Sequence, residues 1–341
     1  MSEESSDDFG YLGGEEEPSP GEYQGESADL QSFWSLEDKD RFLTHDDASK
    51  CLHTLGKCDR GYGYAYLAME ATNRRLTDVS VIPNFRNVIY VNVSGNKLTI
   101  EALRVLTSMT YLLMLQADRN ELTSTSMDPM LYLQVLCLNR NFITDTSGIN
   151  HRLLECLELN FNRIATVTLN PYILENLKVL ELRGNKLSTT DGIFLPSLVH
   201  LYLAENEIRK VEGLETLINL KILHLRGNRL ENLDGFDARC AKLSYLNLRQ
   251  NGVLRLAEFG KLSSLKGLEE LIVQENPVMS ADEEVPSQFR IAILCMLPNL
   301  KRIDKDVVVE DELKEAEEMR QRMKDEGVGF SEIDLFDVKD S

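Results

Sequence analysis

Residues 220–230 read LKILHLRGNRL, and residues 177–187 read LKVLELRGNKL. Both stretches follow the pattern L-x-x-L-x-L-x-x-N-x-L, which returns along the chain in nine copies of varying fidelity. The asparagines that close these copies lie 21 to 25 residues apart, at Asn96, Asn120, Asn141, Asn162, Asn185, Asn206, Asn228, Asn251 and Asn276. Repetition in one register at this spacing predicts a solenoid, in which each copy packs against the next.

The leucines and the asparagines of each copy have separate structural roles. In the L-x-L segment, alternate side chains of a short strand point to opposite faces, so the leucines form a core. Stacked strands then form a curved parallel sheet, and the few residues left between copies allow only short 3₁₀ or helical turns on the convex side. A buried asparagine satisfies turn backbone groups that would otherwise cost roughly 1–3 kcal/mol each, although a direct functional role is the alternative. The pattern therefore predicts an α/β leucine-rich repeat solenoid with helical caps.

Charge is distributed unevenly along the chain. Of the net charge of −19, residues 1–60 contribute −11 and residues 304–341 contribute −8, which leaves residues 61–303 with no net charge. Because a nucleic-acid surface needs concentrated positive charge, we do not expect nucleic acid as the main partner. No run approaches the ~18 apolar residues of a membrane span, and no signal peptide opens the chain. We therefore expect a cytosolic protein with reduced cysteines and no membrane partner.

The ends of the chain predict tails and caps around the repeats. Thr44 and Asp47 form a capping-box pattern, which predicts an N-terminal helix that buries Leu55. Residues 66–76 resemble a degenerate first repeat, with Arg74 in place of the asparagine. The predicted segments are an acidic disordered tail at 1–43, a capping helix at 44–60, about ten repeats at 61–278, a C-terminal cap at 279–305, a charged helix at 306–325 and an acidic tail at 326–341.

The C-terminal extension contains two features that could reach a partner. The charged helix is favoured by the i,i+4 pairs Glu310–Lys314 and Glu318–Arg322, and it is either a solvated extension or a docking helix. Beyond it, residues 333–338 alternate apolar and acidic side chains, and we expect Leu335 and Phe336 to dock on a neighbouring protein. The alternative is a solubilising tail. Truncation after Lys305 is expected to leave the solenoid folded.

Catalytic, cofactor-binding and metal-binding sites are all predicted to be absent. A phosphate loop near Gly260 fails, because Arg255 stands where the motif requires glycine. Cys137 and Cys156, predicted to face outward on neighbouring strands, lack further soft ligands for a metal ion. The two outward-facing histidines, at positions 200 and 224, have no associated nucleophile and are better explained as contact residues. We therefore expect neither an enzyme nor a small-molecule substrate.

The outward-facing strand positions predict a protein-binding surface on the concave side. One row is mainly apolar, a second contains tyrosine and histidine, and a third contains three arginines. Tyrosine and arginine dominate the energetics of many protein–protein contacts. The alternative is a generic solvated sheet, because outward-facing β-branched residues also favour strands. The candidate partner-binding residues are Val179, Arg183, His200, Tyr202, Ile222, His224, Arg226, Tyr245 and Arg249.

Several stretches outside the repeat consensus resemble the leucine-rich repeat-containing protein 23 family. They are GYGYAY at 61–66, ITDTSGI at 143–149, LAEN at 203–206, KVEGLE at 210–215, IDK at 303–305 and MRQRMK at 319–324. The resemblance covers roughly residues 45–325 and does not extend to residues 327–341. It implies a non-enzymatic structural subunit of the radial spokes of motile cilia and sperm flagella, which binds other spoke subunits in the axonemal cytoskeleton and supports motility. A soluble cytosolic regulator of the leucine-rich repeat type, which binds a phosphatase or another signalling protein, is the alternative.

Overall fold

The structure of the chain, a computed structural model, describes residues 41–57, 63–279 and 285–327, with the backbone alone described at 285–287. The predicted docking residues Leu335 and Phe336 lie outside these residues, as does most of both predicted tails. The last residues of the predicted N-terminal tail do belong to the fold. Leu43 is buried, and its backbone N–H donates to the carbonyl oxygen of Asp78 at 3.2 Å.

Within the described residues, a single sheet contains thirteen strands in the order of the chain. The strands β2 to β12 are parallel, whereas β1 pairs with β2 and β13 pairs with β12 in the antiparallel sense. The fold is therefore the α/β leucine-rich repeat solenoid that the sequence predicts. The strands are β1 Leu52–Lys57, β2 Tyr64–Glu70, β3 Tyr90–Asn92, β4 Met114–Gln116, β5 Val135–Cys137, β6 Cys156–Glu158, β7 Val179–Glu181, β8 His200–Tyr202, β9 Ile222–His224, β10 Tyr245–Asn247, β11 Glu270–Ile272, β12 Arg302–Ile303 and β13 Asp306–Val307.

The middle residue of each three-residue strand points into the core. Leu136, Leu157 and Leu180 pair in successive strands, and each is fully buried. Further apolar residues before and after each strand are buried in the same cluster. Every repeat therefore contributes one layer to a continuous apolar core, which its two neighbours complete.

Each repeat asparagine lies buried between its own repeat and the preceding one. The side-chain Nδ2 of Asn206 donates to the carbonyl oxygens of Leu182, Leu203 and Ala204, at 2.9, 3.1 and 3.2 Å. Its Oδ1 accepts from the backbone N–H of Leu187 at 3.1 Å. Equivalent contacts form at Asn96, Asn120, Asn141, Asn162, Asn185, Asn228, Asn251 and Asn276. One amide thus satisfies turn groups in two repeats at once.

The convex side consists of short helical segments. The α-helix α2 spans Ile100–Leu103. The 3₁₀ helices are Ile82–Asn84, Arg104–Ser108, Leu214–Thr216, Leu256–Ser264 and Pro277–Met279. Buried apolar side chains such as Leu214 and Phe259 attach these segments to the core. Since a repeat of this length leaves few residues for the return, no long outer helix is formed along the described repeats.

The N-terminal cap is a short helix followed by a β-hairpin. The helix α1, His45–Lys50, begins at Thr44, whose Oγ1 accepts from the N–H of Asp47 at 3.1 Å, as the capping pattern predicts. The predicted helix over 44–60 is wrong at residues 52–57, which form β1 and pair with β2, and residues 58–60 lie outside the described residues. A strand at this place covers the hydrogen-bonding edge of β2, which a helix could not do. Leu55, predicted to be buried, is 63% exposed.

The first repeat lies against this hairpin. Oδ1 of Asn96 accepts from the backbone N–H groups of Arg74 and Leu76, both at 3.0 Å. These contacts place Arg74 at the position that asparagine holds in the later repeats. The structure therefore contains the degenerate first repeat that the sequence predicts.

The C-terminal end contains two packed α-helices around the last strands. Helix α3, Val285–Met296, and the strand β12 match the predicted cap, and α4 spans Glu310–Glu326. The carboxylate of Glu312 accepts from Nε of Arg290 at 2.7 Å and from its Nη2 at 3.1 Å. Arg320 donates to the carbonyl oxygens of residues 294 and 295, and Ala316 is 2% exposed. Helix α4 therefore packs on α3 and is not a solvated extension.

Two predictions about this end need correction. Lys314 pairs with Asp311 at 3.2 Å, and not with Glu310. Residues at i,i+3 are neighbours on a helix surface just as residues at i,i+4 are. Truncation after Lys305 would remove β13 and α4 together, so it would expose the packed surface of α3. The expectation that this truncation leaves the solenoid intact is therefore revised.

Candidate protein-binding face

The nine predicted contact residues lie on one face of the sheet, opposite the leucine core. We call this side the concave face, since the sheet of a leucine-rich repeat solenoid lines the inside of a horseshoe. The pairing register aligns Val179, His200, Ile222 and Tyr245 in one row, and Glu181, Tyr202, His224 and Asn247 in a second. Arg183, Arg226 and Arg249 follow the second row by two residues. All nine candidates are partly exposed, so the structure brings them together on an accessible surface.

Aromatic rings form a continuous stack across β8, β9 and β10. The rings of Tyr202 and His224 are 4.9 Å apart, and those of His224 and Tyr245 are also 4.9 Å apart, both in stacked geometry. His200 meets Tyr202 edge-on at 6.5 Å. Such pairs contribute about 0.5–1.5 kcal/mol each beyond the area that they bury. The stack therefore presents rigid, partly apolar groups that lose little conformational entropy when a partner binds.

The arginine row is held by acidic side chains of following repeats. Nη2 of Arg183 lies 2.7 Å from a carboxylate oxygen of Glu205, and Nε of Arg249 lies 3.0 Å from one of Glu275. The hydrogen bond from Arg249 holds the pKa of Glu275 below its ordinary value. Sequence reasoning did not foresee these pairs, because the partners lie more than twenty residues apart. At least two of the three arginines are consequently in oriented ion pairs, so the row is not a purely positive stripe.

His200 is neutral at physiological pH. Burial lowers its pKa below 6.5, and the nearby positive charge of Lys221 lowers it further. Its Nδ1 is buried without a hydrogen-bond partner in the described part of the chain. The position therefore contributes an uncharged ring to the concave face.

The first half of the concave face is acidic and contains the two cysteines. Nδ2 of Asn139 donates to Glu158 at 2.7 Å, and Nδ2 of Asn160 donates to Glu181 at 2.5 Å. Burial raises the pKa of Cys156 to about 12, and the carboxylate charge of Glu158 adds to the effect. Cys137 lies on the same face, as predicted for an outward-facing residue. Its side chain is nevertheless buried. Burial likewise raises its thiol pKa, so both cysteines are protonated.

Sequence reasoning missed a depression of about 350 Å³ at the N-terminal end of the concave face. His53 and Thr54 of β1, Ala68 of β2, Tyr90 of β3 and Met114 of β4 are among the residues that line it. The sequence LHTLGK at 52–57 has no two-residue alternation that would indicate a strand, and the segment was interpreted as helix. The depression extends the apolar row beyond the predicted residues.

Two kinds of site were searched for in the ranges that the structure describes. Nowhere in them do three or more His, Cys, Asp or Glu side chains group closely enough to hold a metal ion. None of the helices in the same ranges has the length and apolar character needed to cross a bilayer.

Comparison with known proteins gives matches at the level of sequence. A family model described as leucine-rich repeat matches residues 170–329. Leucine-rich repeat-containing protein 23 of Homo sapiens is 41% identical over 285 residues, which are 83% of this chain and 81% of that protein. The protein of the same name from Mus musculus is 45% identical over 276 residues, 81% and 79% of the two chains. Cilia- and flagella-associated protein 410 of Homo sapiens is 36% identical over 96 residues, 27% of this chain and 36% of that protein.

Two solved structures resemble the fold. A chain of the octameric complex of Latrophilin 3 (Lec, Olf), Unc5D (Ig, Ig2, TSP1) and FLRT2 (LRR) has a TM-score of 0.53 at 22% identity, with 74% of this chain and 83% of that chain covered. The functional domain of InlJ from Listeria monocytogenes has a TM-score of 0.51 at 20% identity, with 73% and 57% covered. At such identities the likeness concerns the fold alone.

Proposed function

The chain belongs to the leucine-rich repeat-containing protein 23 family, and we propose that it is a non-enzymatic, protein-binding subunit of the ciliary or flagellar axoneme. Its proposed position is the radial spoke, where it joins other spoke subunits and supports motility, including that of sperm. The observation that carries this proposal is the 41% identity to the human family member across 83% of this chain and 81% of that protein. The name of a second, more distant relative, cilia- and flagella-associated protein 410, supports the ciliary location.

The concave face supports the protein-binding part of the proposal. Its stacked rings and oriented ion pairs resemble the aromatic and arginine anchors of protein interfaces. Leucine-rich repeats serve as interaction scaffolds, whose concave surface is the extended binding side. We assign partner binding to the nine residues named above, with Tyr202, His224 and Arg226 at the centre.

Fractionation of flagella tests the proposed location. A spoke subunit stays with the microtubule skeleton when detergent removes the membrane, and it leaves with other spoke subunits when the ionic strength is raised. Release of the chain by detergent alone would contradict an axonemal position and would favour the soluble regulator.

A triple substitution tests the concave face. Tyr202→Ala, His224→Ala and Arg226→Ala should together weaken capture of spoke subunits from salt-extracted axonemes by at least roughly tenfold, because anchor residues each contribute more than about 1 kcal/mol. The matched control, Tyr172→Ala with Arg209→Ala, removes an aromatic ring and a cation outside the concave face and should leave capture unchanged. Normal capture by the triple variant, with a normal circular dichroism spectrum, would move the interface to another surface.

The C-terminal segment around Leu335 and Phe336 is proposed as a second attachment point. Since α4 belongs to the fold, truncation after Gly327 is a cleaner test than truncation after Lys305. The shortened chain should keep its melting temperature but be retained less well in axonemes, with flagella that assemble and beat poorly. Normal retention and beating would make this segment a solubilising tail.

A further inference from the structure

Two neighbouring repeats carry mirror-image sequences around their asparagines, RNF at 140–142 and FNR at 161–163. The guanidinium carbon of Arg140 lies 4.6 Å from the ring centroid of Phe161. The guanidinium carbon of Arg163 lies 4.6 Å from the ring centroid of Phe142. Two cation–π pairs therefore cross the boundary between the same two repeats in opposite directions, and each pair orients its arginine.

The ring of Phe161 is held in place by the turn of the next repeat. Gly184 has a φ of +67°, and a Cβ atom there would lie 2.5 Å from Cδ1 of Phe161. Glycine is consequently required at this position for the ring, since Arg140 and Glu205 adopt a positive φ at the equivalent turns. The guanidinium of Arg183 lies 5.5 Å from the centroid of the same ring. The platform beneath Arg140 is thus fixed before any partner binds.

These residues belong to a local excess of positive charge. The positions immediately before and after the asparagines at 96, 120, 141, 162 and 185 contain five basic residues and one acidic residue, Glu121. They lie at the turns where the chain leaves its strands. We use the name arginine–phenylalanine patch for Arg119, Arg140, Phe142, Phe161, Arg163 and Lys186.

The cations of the patch differ from those of later repeats. Arg119, Arg140, Arg163 and Lys186 are all exposed, and none of them forms an ion pair with a carboxylate in the described ranges. In a later repeat, Arg229 follows Asn228 and pairs with Glu207 at 3.0 Å. The basic residue beside the asparagine is therefore paired with a carboxylate in the later repeat, whereas the four cations of the patch form no such pair.

Stacking leaves the hydrogen-bonding capacity of the arginines unused. A guanidinium lies with its face on a ring, whereas its five N–H donors point outward in its own plane and match a carboxylate in bidentate geometry. The side chains of Arg140 and Arg163 donate no hydrogen bond to any described residue. Carboxylates are the groups that would complete this arrangement.

We propose that the arginine–phenylalanine patch binds a glutamate- or aspartate-rich segment of a partner protein. A carboxylate partner suits the oriented guanidinium groups, because its two oxygens accept from two parallel N–H donors of one guanidinium. The patch lies at the turns that border the concave face, so such a segment could continue a partner that is bound there. The proposal stands on the patch alone and does not depend on the axonemal position of the chain.

The full-length chain and a fluorescein-labelled oligoglutamate peptide provide the test, with fluorescence anisotropy as the readout. Arg119→Gly with Arg140→Gly removes two cations at positions where the backbone φ is +52° and +56°, a conformation that glycine adopts without strain. The fold is expected to be retained, since glycine holds the same repeat position at Gly184 and Gly227. We expect the affinity for the peptide to fall about tenfold, because two charge-assisted contacts are lost. The matched control, Arg209→Gln with Lys210→Gln, removes the same charge elsewhere and should bind as the wild type does.

Three results would overturn the proposal. They are the absence of peptide binding by the wild-type chain, equal losses in the control and the glycine variant, and preferential binding of a single-stranded oligonucleotide of equal charge. The last result would assign the patch to nucleic acid. An unaltered melting temperature in the glycine variant separates a lost contact from a lost fold.

Discussion

The middle of the solenoid and its C-terminal end stabilise buried polar groups in different ways. From residue 96 to residue 228, every buried polar side chain among those described is uncharged under neutral conditions: the repeat asparagines, Thr125, Thr146, Thr190 and His151. Towards the C-terminus, Glu258 is 4% exposed and lies 3.0 Å from Nη2 of Arg255 and 2.7 Å from Nζ of Lys261. The Arg290–Glu312 pair then joins the last two helices.

This difference follows from what covers each repeat. In the middle, a nearly identical neighbour lies on either side, and its backbone groups meet the asparagine amide at a constant spacing. Beyond the last repeat no further copy supplies those groups, so the Arg290–Glu312 pair completes the contacts between the two helices. Glu258 lies within a repeat, where its carboxylate accepts from the N–H of Leu233 at 3.0 Å. Neutral hydrogen bonds should depend little on pH and salt, whereas ion pairs should depend on both. Stability measurements can therefore distinguish the two regions.

The largest effect is expected in acid at the buried imidazole of His151, which is the exception to the pH-insensitive hydrogen bonds of the middle. Its Nδ1 accepts from the N–H of Met130 at 3.1 Å, and burial lowers its pKa from 6.5 to about 4. Because the unfolded chain takes up the proton first, this stability is fully present above pH 6.5. It is lost as the pH falls towards 4, by at most about 3 kcal/mol. Denaturant unfolding at a series of pH values measures the loss.

His151→Asn is the control for this prediction. The asparagine keeps an acceptor near the place of Nδ1 but does not titrate. Its stability should fall less between pH 6.5 and 4 than that of the wild type. An identical pH profile would show that carboxylates elsewhere cause the acid sensitivity.

A smaller effect is expected from Asn206→Ala, which removes one amide from the neutral ladder. The N–H of Leu187 loses its acceptor, and three carbonyl oxygens each lose one of two donors. Unfolding should therefore become easier by about 1–3 kcal/mol, with little dependence on salt. Asn176→Ala serves as the comparison, since its Nδ2 makes one exposed hydrogen bond to the carbonyl oxygen of Arg152. Equal melting temperatures for the two variants would mean that water reaches the turn at Asn206.

The smallest effect is expected from Glu312→Gln at the C-terminal end. The side chains of this pair are 18% and 21% exposed, and loss of the charge should cost about 1 kcal/mol at neutral pH. The hydrogen bond from Arg290 lowers the pKa of Glu312, so its contribution is present above the unfolded value of 4.5 and is lost as the pH falls through the folded value. The variant and the wild type should therefore converge in acid. A difference that persisted there would point to packing and not to charge.

Lys301→Ala is the control for the charged end. Its partner Glu269 lies 2.7 Å away, but the side chains are 69% and 50% exposed. Solvent screening should keep the change in unfolding free energy within about 0.5 kcal/mol. A loss as large as that of Glu312→Gln would remove the distinction between buried and exposed pairs.

Prediction from the sequence succeeded wherever the repeat pattern applied. The rows of the concave face followed from alternation alone, and the pairing of Val179 with His200 and of Tyr202 with His224 has the expected register. Prediction failed for residues 52–57, where an apparent capping helix competes with pairing to β2. The helix signal at Thr44 is local and correct, whereas the strand depends on the open edge of β2.

The amino-acid sequence by itself determined the strands, the leucine core and the buried asparagines, because each depends on a period that successive copies share. Only the tertiary structure decided how non-repeating side chains meet, as in the ion pair of Arg183 with Glu205 and the stacking of Arg140 on Phe161. Those contacts join residues about twenty positions apart, and their existence depends on side-chain direction across a repeat boundary. The repeat pattern did not predict the packing of α4 on α3, since a helix with a thin apolar stripe can be solvated or can pack on another surface. Whether α4 has a surface to pack on depends on where the solenoid ends.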